Sequence, residues 1–316
     1  MLFDLTHPAH VHFFRNSMQM LSENGHEIFV LSRKKDVTLK LLDRYRIRNR
    51  CISTVSSTPG GLLLELLKRV AITSRFIKGN LIQCVLSVGG TFSAPAARLC
   101  RVPSVVFYNT ESARVANAIG FGNASLVVTS TSFDGWVPKQ HMSYSGYHEL
   151  AYLHPSVFKP DLTAEPWSGV PPGESKVLIR FVSWRSSHDI GHSGMSETMR
   201  RKTVESFARR GRVVISSERK LSSDLDKYRY TGPPENMHSV ISNADLVFGE
   251  SGTMTSEAAV LGTPAVFIDS SGRGYAREQE RKYGLVRNFD ETMEGQKMAL
   301  ETGLEMLNAP PEVYLE

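Results

Sequence analysis

Residues 244–268 read ADLVFGESGTMTSEAAVLGTPAVFI, and this stretch decides the fold. Residues 246–248 form a short apolar run that predicts a buried strand, and residues 265–268 predict a second strand. Between them, small residues predict a turn over 249–253, and the Ala-rich run 254–261 predicts a helix. A strand–turn–helix–strand unit of this kind is the repeating piece of a parallel α/β sheet.

The turn of this unit carries residues suited to a phosphate group. It precedes a helix, where unpaired backbone N–H groups and the positive end of the helix dipole are exposed. Ser251 and Thr253 add two hydroxyls, and Gly252 would let a ligand approach the backbone, so the three residues predict a phosphate or diphosphate seat. Glu257 lies one helical turn beyond Thr253, where its carboxylate would accept hydrogen bonds from ribose hydroxyls. The alternative is a serine cap followed by a solvated glutamate, which is a common arrangement.

Composition places the chain among ordinary globular proteins. Its 316 residues are enough for two domains, and 41% of them are hydrophobic and 22% charged. No apolar run reaches the length of about 18 residues that a membrane-spanning helix needs, and we expect no signal peptide. The three cysteines fit no metal-ligand spacing and suggest thiols of a reducing compartment, so we expect a cytoplasmic protein.

The net charge of +5 indicates the kind of partner. This charge suits an anionic ligand or an anionic membrane surface. We expect no nucleic-acid partner, because the sequence has no basic stripe interleaved with aromatic residues. The helix predicted over residues 62–78 combines leucines with Lys and Arg, so one face of it could meet a membrane or a lipid acceptor. A helix packed on the core is the alternative. We therefore keep a peripheral contact with the inner membrane face as an open possibility.

The first half of the chain repeats the strand–helix pattern. A strand over residues 2–5 leads through a turn at 6–10 into an amphipathic helix over 11–24. A later strand over 83–88 is followed by a second small-residue turn at 89–93. Turns that follow the strands of an open parallel sheet are the usual place for a binding site.

The pattern breaks between residues 133 and 174, where Pro, Gly and aromatic residues accumulate. A second β–α series opens at residues 177–182. We therefore predict an α/β fold with two Rossmann-like doubly wound domains, residues 1–160 and 161–316, that face a cleft holding the ligand.

Three histidines follow the first strand. His7, His10 and His12 match no zinc spacing and have no acidic or Cys partner nearby, so we expect no metal. His10 is better placed as a general base or as a polar contact to substrate, since a neutral imidazole with an ordinary pKa near 6.5 suits proton transfer.

These features resemble the DUF354 family, and more broadly the GT-B glycosyltransferase superfamily, which includes MurG-type transferases and non-hydrolysing UDP-N-acetylglucosamine 2-epimerases. The resemblance covers nearly the whole chain. It is carried by the following segments: Asp4…His7-Pro8…His10-Val11-His12-Phe13-Phe14, Gly146-Tyr147…Glu149-Leu150-Ala151-Tyr152-Leu153-His154-Pro155, Arg180-Phe181…His188-Asp189, and Gly252-Thr253-Met254…Glu257-Ala258…Leu261-Gly262-Thr263-Pro264.

The resemblance implies that the C-terminal domain holds a nucleotide-sugar donor. Glu257 matches a glutamate that binds the ribose hydroxyls, and Met237 lies in a segment whose backbone reads the base. Other positions match residues that contact the phosphates or the donor sugar: Ser183, Arg185, Ser251, Gly252, Thr253 and Gln279.

The leading hypothesis is a metal-independent glycosyltransferase of polysaccharide biosynthesis. It would move a sugar from a nucleotide-sugar donor, UDP-linked by expectation, to a glycan or lipid-linked acceptor that enters from the N-terminal domain. His10, or as second choice Glu111, would take the proton from the acceptor hydroxyl. No cofactor is expected, because the donor is itself a substrate.

Two alternatives stay open. A UDP-sugar 2-epimerase or hydrolase would use the same nucleotide seat, but the turn at residues 89–91 lacks the carboxylate that such epimerases carry, and no obvious second acid follows Glu111. A nucleotide-sugar-binding or assembly protein without turnover is the other alternative.

Overall fold

Apolar runs and helix-forming segments alternate along the chain, and the computed structural model arranges them as two parallel sheets, one in each of two compact units. The structure describes residues 1–55, 58–163, 165–183 and 194–309. The first unit is Met1–Tyr152 and the second is Leu153–Glu316, whereas the sequence placed the domain boundary at residue 160. The predicted fold class, α/β with two Rossmann-like doubly wound domains, is confirmed.

The first unit is built on a sheet whose described part has seven parallel strands, in the order β3-β2-β1-β4-β5-β6-β7. Its elements in chain order are β1 Leu2–Leu5, α1 Pro8–Glu23, β2 Phe29–Lys34, α2 Thr38–Arg44, β3 Arg50–Thr54, α3 Pro59–Gly79, β4 Val85–Val88, α4 Ser93–Leu99, β5 Ser104–Tyr108, α5 Arg114–Asn123, β6 Leu126–Ser130 and β7 His141–Tyr144. A short helix, α6 Leu150–Leu153, crosses the boundary between the units.

The second unit has five parallel strands in its described part, in the order β12-β11-β10-β8-β9. Its elements are β8 Ser175–Phe181, α7 Glu197–Ala208, β9 Gly211–Ser217, α8 Ser223–Asp226, α9 Met237–Ser242, β10 Leu246–Gly249, α10 Gly252–Val260, β11 Ala265–Ile268, α11 Gly274–Tyr283, β12 Val286–Phe289 and α12 Met293–Met306. A single 3₁₀ turn, Pro234–Asn236, leads into α9.

Each sheet has an apolar layer on both faces, because successive residues of a strand point to opposite sides. In β1, Leu2 packs with the cluster around Ile77 and Val85, whereas Phe3 packs with the cluster around Phe14. The central strands are therefore buried on both faces, as the continuous apolar runs of the sequence predict.

The strand order reverses once in each sheet. In the first sheet the reversal lies between β1 and β4, and in the second it lies between β8 and β10. Ligands of open α/β sheets bind beyond the carboxyl ends of the strands at such a switch point. The turns that follow these four strands are therefore where a site is expected.

Helix α1 begins three residues earlier than the sequence predicts. The Nδ1 atom of His7 accepts a hydrogen bond from the backbone N–H of Ala9 at 3.2 Å, which caps the helix, and Pro8 takes the first helical position, where proline is favoured. His10 therefore lies in the first turn of α1, not in the loop after β1 where it was predicted.

The sequence analysis missed the two short helices α6 and α8 and four longer elements. Helix α5 contains two glycines, which lower helix propensity, and α11 is strongly polar. Strand β7 is an edge strand of the first sheet with no fully buried residue, and β12, which follows closely on α11, is an edge strand of the second sheet. Because none of the four has a clear apolar pattern, their places in the fold depend on neighbouring elements.

Candidate functional site

The switch point of the second sheet lies between the ends of β8 and β10, which pair along residues 177–180 and 246–249. Ser183 follows β8 closely, and Ser251 follows β10 and begins α10. The structure thus brings the ends of the two strands and the start of α10 to one edge of one sheet, as the sequence predicts.

Helix α10 begins with a serine cap. Ser251 has extended backbone geometry, and its side chain accepts a hydrogen bond from the N–H of Met254 at 3.4 Å. Thr253 lies in the first turn and is half-buried. The N–H groups at the start of this nine-residue helix are directed toward the end of β10, which is the arrangement a phosphate group favours.

Gly252 also has a structural reason within the second unit. A Cβ atom at this position would lie 2.4 Å from the hydroxyl oxygen of Tyr275 and 3.2 Å from the ring of Phe267. The glycine therefore accommodates the Tyr275 side chain from α11. Tyr275 becomes an additional polar side chain at the start of α10.

Glu257 lies one turn further along α10 and is only 4% exposed. Its Oε1 atom is 3.1 Å from Nε2 of His238, which is also buried and contacts the ring of Phe158 edge-on. The alternative of a solvated glutamate is wrong, because Glu257 is buried inside the second unit. His238 was not singled out in the sequence, although its neighbour Met237 was.

Met237 itself is half-buried at the start of α9 and packs against the core cluster that contains Val240 and Val247. Gln279 is 1% exposed and donates from Nε2 to the hydroxyl of Ser256 at 2.9 Å. Its amide therefore joins α11 to α10, so the structure places Gln279 between two helices and not at a surface open to a donor sugar.

Glu250 is a functional candidate that sequence reasoning missed. This buried carboxylate accepts a hydrogen bond from the N–H of Val182 at 2.9 Å through Oε2, and from the N–H of Met195 at 2.5 Å through Oε1. Nη2 of Arg200 lies 3.2 Å from the same Oε1 atom. Glu250 thus fixes the chain on both sides of the segment after β8. The signal in the sequence was an acidic residue between a buried strand and a helix cap.

Of the two phosphate contacts predicted after β8, Ser183 lies within the described residues. The backbone N–H and the hydroxyl of Ser183 both donate to Oε2 of Glu218, at 3.2 and 3.1 Å, and Arg180 forms a salt bridge with the same carboxylate at 2.5 Å. A phosphate at Ser183 would therefore meet a carboxylate, which argues against that contact. Arg185 lies outside the described residues.

In the first unit, His10 is held by the turn after β1. Its Nδ1 atom accepts a hydrogen bond from the backbone N–H of Thr6 at 3.3 Å. Burial lowers the pKa of His10 to about 3, with the Lys35 ammonium as the next largest cause. A pKa this low makes the imidazole a weak base at neutral pH, which argues against the predicted role of His10 as general base.

The two glycines of the turn after β4 leave little room for a side chain at their positions. Gly89 and Gly90 both have positive φ angles, 81° and 64°, and a Cβ at Gly90 would lie 2.5 Å from a methyl carbon of Val106. A Cβ at Gly120 of α5 would lie 2.1 Å from the carbonyl oxygen of Gly89. Glu111, half-buried in the loop after β5, is the carboxylate predicted at this edge of the sheet.

Among the described residues, no group of three or more His, Cys, Asp or Glu side chains is arranged to hold a metal ion.

Residues 1–149 match the family model DUF354, which is described as a protein of unknown function. The predicted resemblance to DUF354 is confirmed. The DUF354 match covers the first unit almost to its end and includes His10 and Glu111. An uncharacterised protein of Methanocaldococcus jannaschii is 21% identical over 276 residues, which cover 83% of this chain and 80% of that protein.

Solved structures resemble both units of this chain. The UDP-GlcNAc 2-epimerase of Neisseria meningitidis bound to UDP-GlcNAc has a TM-score of 0.73 at 11% identity, over 99% of this chain and 92% of its own. The UDP-GlcNAc 2-epimerase of Methanocaldococcus jannaschii in complex with UDP-GlcNAc and UDP has a TM-score of 0.67 at 12% identity, over 98% and 94%. The spinosyn rhamnosyltransferase SpnG complexed with thymidine diphosphate has a TM-score of 0.62 at 12% identity, over 99% and 94%. At such identities the likeness shows the fold alone, and the predicted GT-B fold is confirmed.

Proposed function

We propose that this chain is a GT-B glycosyltransferase that moves a sugar from a nucleotide-sugar donor to a glycan or lipid-linked acceptor. The observation that carries the proposal is the arrangement at the second switch point, where the start of α10 follows β10 and the buried Glu257 lies one turn deeper, held by His238. The diphosphate would bind at Ser251, Gly252 and Thr253, and Glu257 would bind the ribose.

The proposed chemistry needs stabilisation of a departing nucleoside diphosphate. The N–H groups and dipole of α10, with the Ser251 and Thr253 hydroxyls, would supply it. We therefore propose no resident cofactor, with the nucleotide sugar acting as substrate. Arg185 remains a proposed phosphate contact. The comparisons support the donor class to the extent that the named neighbours are bound to UDP-GlcNAc, UDP or thymidine diphosphate.

Glu111 is our proposed general base in the first unit. The pKa of His10 is too low for efficient proton transfer near neutral pH, whereas a half-buried carboxylate after β5 lies at the same sheet edge. His10 is then a contact to the acceptor that donates a hydrogen bond and leaves the proton transfer to Glu111.

A 2-epimerase is the second candidate, because epimerases have the higher TM-scores among the structures compared above. The glycine turn after β4 opposes it, since a carboxylate-bearing side chain at Gly90 would clash with Val106. In addition to Glu111, the buried Glu149 is a carboxylate that epimerase chemistry could use.

Product analysis separates the candidates. The full chain is incubated with a panel of nucleotide sugars, with and without glycan and lipid-linked acceptors, and both nucleoside diphosphate and sugar products are measured. We expect nucleoside diphosphate release that requires an acceptor, is lost in Glu111→Gln and persists in Glu27→Gln, an exposed control. Conversion of UDP-GlcNAc to its 2-epimer without acceptor would contradict the transferase, and binding without turnover would leave a non-catalytic binding protein.

Helix α3 has features that bear on where in the cell the protein acts. No helix in the described part of the chain is long and apolar enough to cross a membrane. However, α3 exposes Leu63, Leu64 and Leu67, by 58%, 69% and 60%, and Lys68 and Arg75 are exposed on the same helix. Leucines beside cations fit an anionic membrane surface. We therefore propose that this chain is a cytoplasmic protein and that α3 docks it on the inner membrane face.

Vesicle sedimentation tests this docking. We expect the full chain to sediment with vesicles that contain phosphatidylglycerol and to remain in solution with phosphatidylcholine alone. The double variant Leu64→Glu/Leu67→Glu should lose binding, whereas a Leu162→Glu variant, at a still more exposed leucine of the second unit, should keep it. Binding unchanged in the double variant would contradict the proposal.

A further inference from the structure

A cavity of about 260 Å³ lies between strand β3 and helix α3, away from the residues used in the proposed function. Five residues line it: Arg50 of β3, and Ile72, Arg75, Phe76 and the C-cap residue Asn80 of α3. Ile72 and Phe76 are half-buried, whereas Arg50, Arg75 and Asn80 are exposed. The cavity therefore has an apolar floor and a polar rim that solvent reaches.

The two arginines reach this cavity from opposite walls. Arg50 is the first residue of β3, and because side chains alternate along a strand, it lies on the same face as Ile52. Ile52 packs in the core cluster that includes Ile77 of α3, so this face of the strand is the one that α3 covers. On α3, Arg75 follows Ile72 by three residues, which places the two side chains next to each other. Both guanidinium groups thus line one opening.

The charge of this opening is positive and is not neutralised by the described part of the chain. Within that part, Arg50 and Arg75 form no salt bridge and their side chains make no hydrogen bond. Residues 44–52 and residues 66–80 each contain four Lys or Arg and no acidic residue. Two arginines without a carboxylate partner on one cavity attract an anionic group.

The end of helix α3 is the one feature that opposes an anion. A helix C-terminus carries about half a negative charge on its unpaired carbonyl groups. Here the carbonyl of Phe76 accepts from Nδ2 of Asn80 at 2.9 Å and from the backbone N–H of Asn80 at 3.1 Å, and the carbonyl of Ile77 accepts from the N–H of Ile82 at 3.1 Å. Two full positive charges outweigh what remains of the partial negative charge, so the cavity favours an anion.

The chemistry of the rim favours a phosphate monoester among anions. A guanidinium binds phosphate oxygens in pairs through parallel N–H groups, so two arginines match a group with several terminal oxygens. A phosphate monoester has three such oxygens and carries a charge of about −1.5 to −2 at neutral pH, close to the charge of the two arginines. A diester or a carboxylate offers fewer terminal oxygens and less charge. The organic part of the ester would contact Ile72 and Phe76.

The exposed face of α3 indicates where the phosphate comes from. Leu64 and Leu67 are exposed on α3, and Arg75 lies three helical turns beyond Leu64 on the same face, about 16 Å along the axis. A helix that lies in a membrane interface with its leucines inserted keeps its cations at the level of the lipid headgroups. A headgroup phosphate would then stand at the opening of the cavity.

We propose that Arg50 and Arg75 bind the phosphate monoester headgroup of an anionic membrane lipid in the cavity between β3 and α3. This site rests on the membrane docking of α3 proposed above, which brings the lipid to the cavity, and it is independent of the nucleotide seat in the second unit. Docking by charge alone would accept any anionic lipid, whereas the cavity selects the monoester.

Vesicle sedimentation of the full chain tests this selection. One set of phosphatidylcholine vesicles contains phosphatidic acid, whose headgroup is a phosphate monoester. A second set contains phosphatidylglycerol, a diester, in the proportion that gives the same surface charge. We expect the unmodified chain to bind the phosphatidic acid vesicles about tenfold more tightly, a difference of about 1.4 kcal/mol. Arg50→Gln/Arg75→Gln should bind the two sets equally.

A matched variant separates the cavity from general attraction to a charged surface. Arg48→Gln/Lys78→Gln removes the same charge from exposed positions that do not line the cavity. It should weaken binding to both sets of vesicles and keep the preference for phosphatidic acid. An unchanged melting temperature shows that the glutamine variants are folded. Calorimetry with glycerol 3-phosphate, a soluble monoester, tests the other source of the same chemistry.

The outcomes distinguish the site from the docking on which it rests. Equal binding of both sets by the unmodified chain would overturn the site and leave the docking of α3 standing, whereas a chain that stays in solution with both sets would overturn the two together. A preference that survives in Arg50→Gln/Arg75→Gln, or that is lost equally in Arg48→Gln/Lys78→Gln, would also overturn the site. Binding of glycerol 3-phosphate with no preference for phosphatidic acid would assign the cavity to a soluble phosphate and contradict a lipid ligand.

Discussion

At the scale of the residue, His148 shows how burial controls charge. The ring is 7% exposed, stacks on Phe13 and is hydrogen-bonded through Nδ1 to the hydroxyl of Tyr144. Burial alone lowers its pKa from 6.5 to about 4. The unfolded chain therefore binds a proton between pH 6.5 and 4 that the folded chain does not bind, and acid favours unfolding in that range.

This predicts a pH-dependent stability of the first unit. The contribution of His148 is complete above pH 6.5 and is lost as the pH falls toward 4, which amounts to about 2 kcal/mol between pH 7 and pH 5. Urea unfolding at the two pH values should therefore show a smaller loss in His148→Gln than in the unmodified chain. His154→Gln should behave as the unmodified chain, and an equal loss in all three proteins would mean that His148 is charged when folded.

At the scale of the element, the loops after β8 and β10 are joined by one side chain. Glu250 connects the N–H groups of Val182 and Met195, 13 residues apart, and is itself held by Arg200 of α7. Removing one partner of a buried charged network leaves the other partner uncompensated. The start of α10 and the end of β8 are therefore expected to move together or not at all.

Glu250→Gln tests this connection. The amide keeps one acceptor oxygen but turns an N–H toward the other donor, so amide exchange at Val182 or Met195 should accelerate, and the free energy of unfolding should fall by about 1–3 kcal/mol. Hydrogen–deuterium exchange with mass spectrometry measures both segments. Glu197→Gln, which removes an exposed partner of the same Arg200, should change neither. Unchanged exchange in Glu250→Gln would show that the carboxylate does not hold the two segments.

The elements around the second switch point were largely predictable, because β10, α10 and β11 each have a clear apolar or small-residue pattern. The contacts that define the site were not. Tyr275 lies over Gly252, His238 holds Glu257, and Glu250 reaches back to the end of β8. Each of these contacts joins residues at least 19 positions apart, and local periodicity carries no information about such pairs.

At the scale of the whole molecule, we assign donor binding to the second unit and acceptor binding to the first. The second unit has a helix start, a buried Glu257 and a buried His238 for the nucleotide. The first unit has Glu111 and His10, the residues proposed to meet an acceptor. The formal charge of +5 is consistent with an anionic nucleotide as ligand.

The most direct test of the account is nucleotide binding by thermal shift, with a panel of nucleotides and nucleotide sugars. A ligand that binds the folded state at 100 times its Kd should stabilise it by about 2.7 kcal/mol, and Glu257→Ala should remove this stabilisation. Glu301→Ala, an exposed glutamate on α12, is the matched control and should keep it. A shift that is lost only in Glu257→Ala would support the nucleotide seat at α10 and name the donor. If none of the nucleotides shifts the melting temperature, or if the shift survives in Glu257→Ala, the account is contradicted.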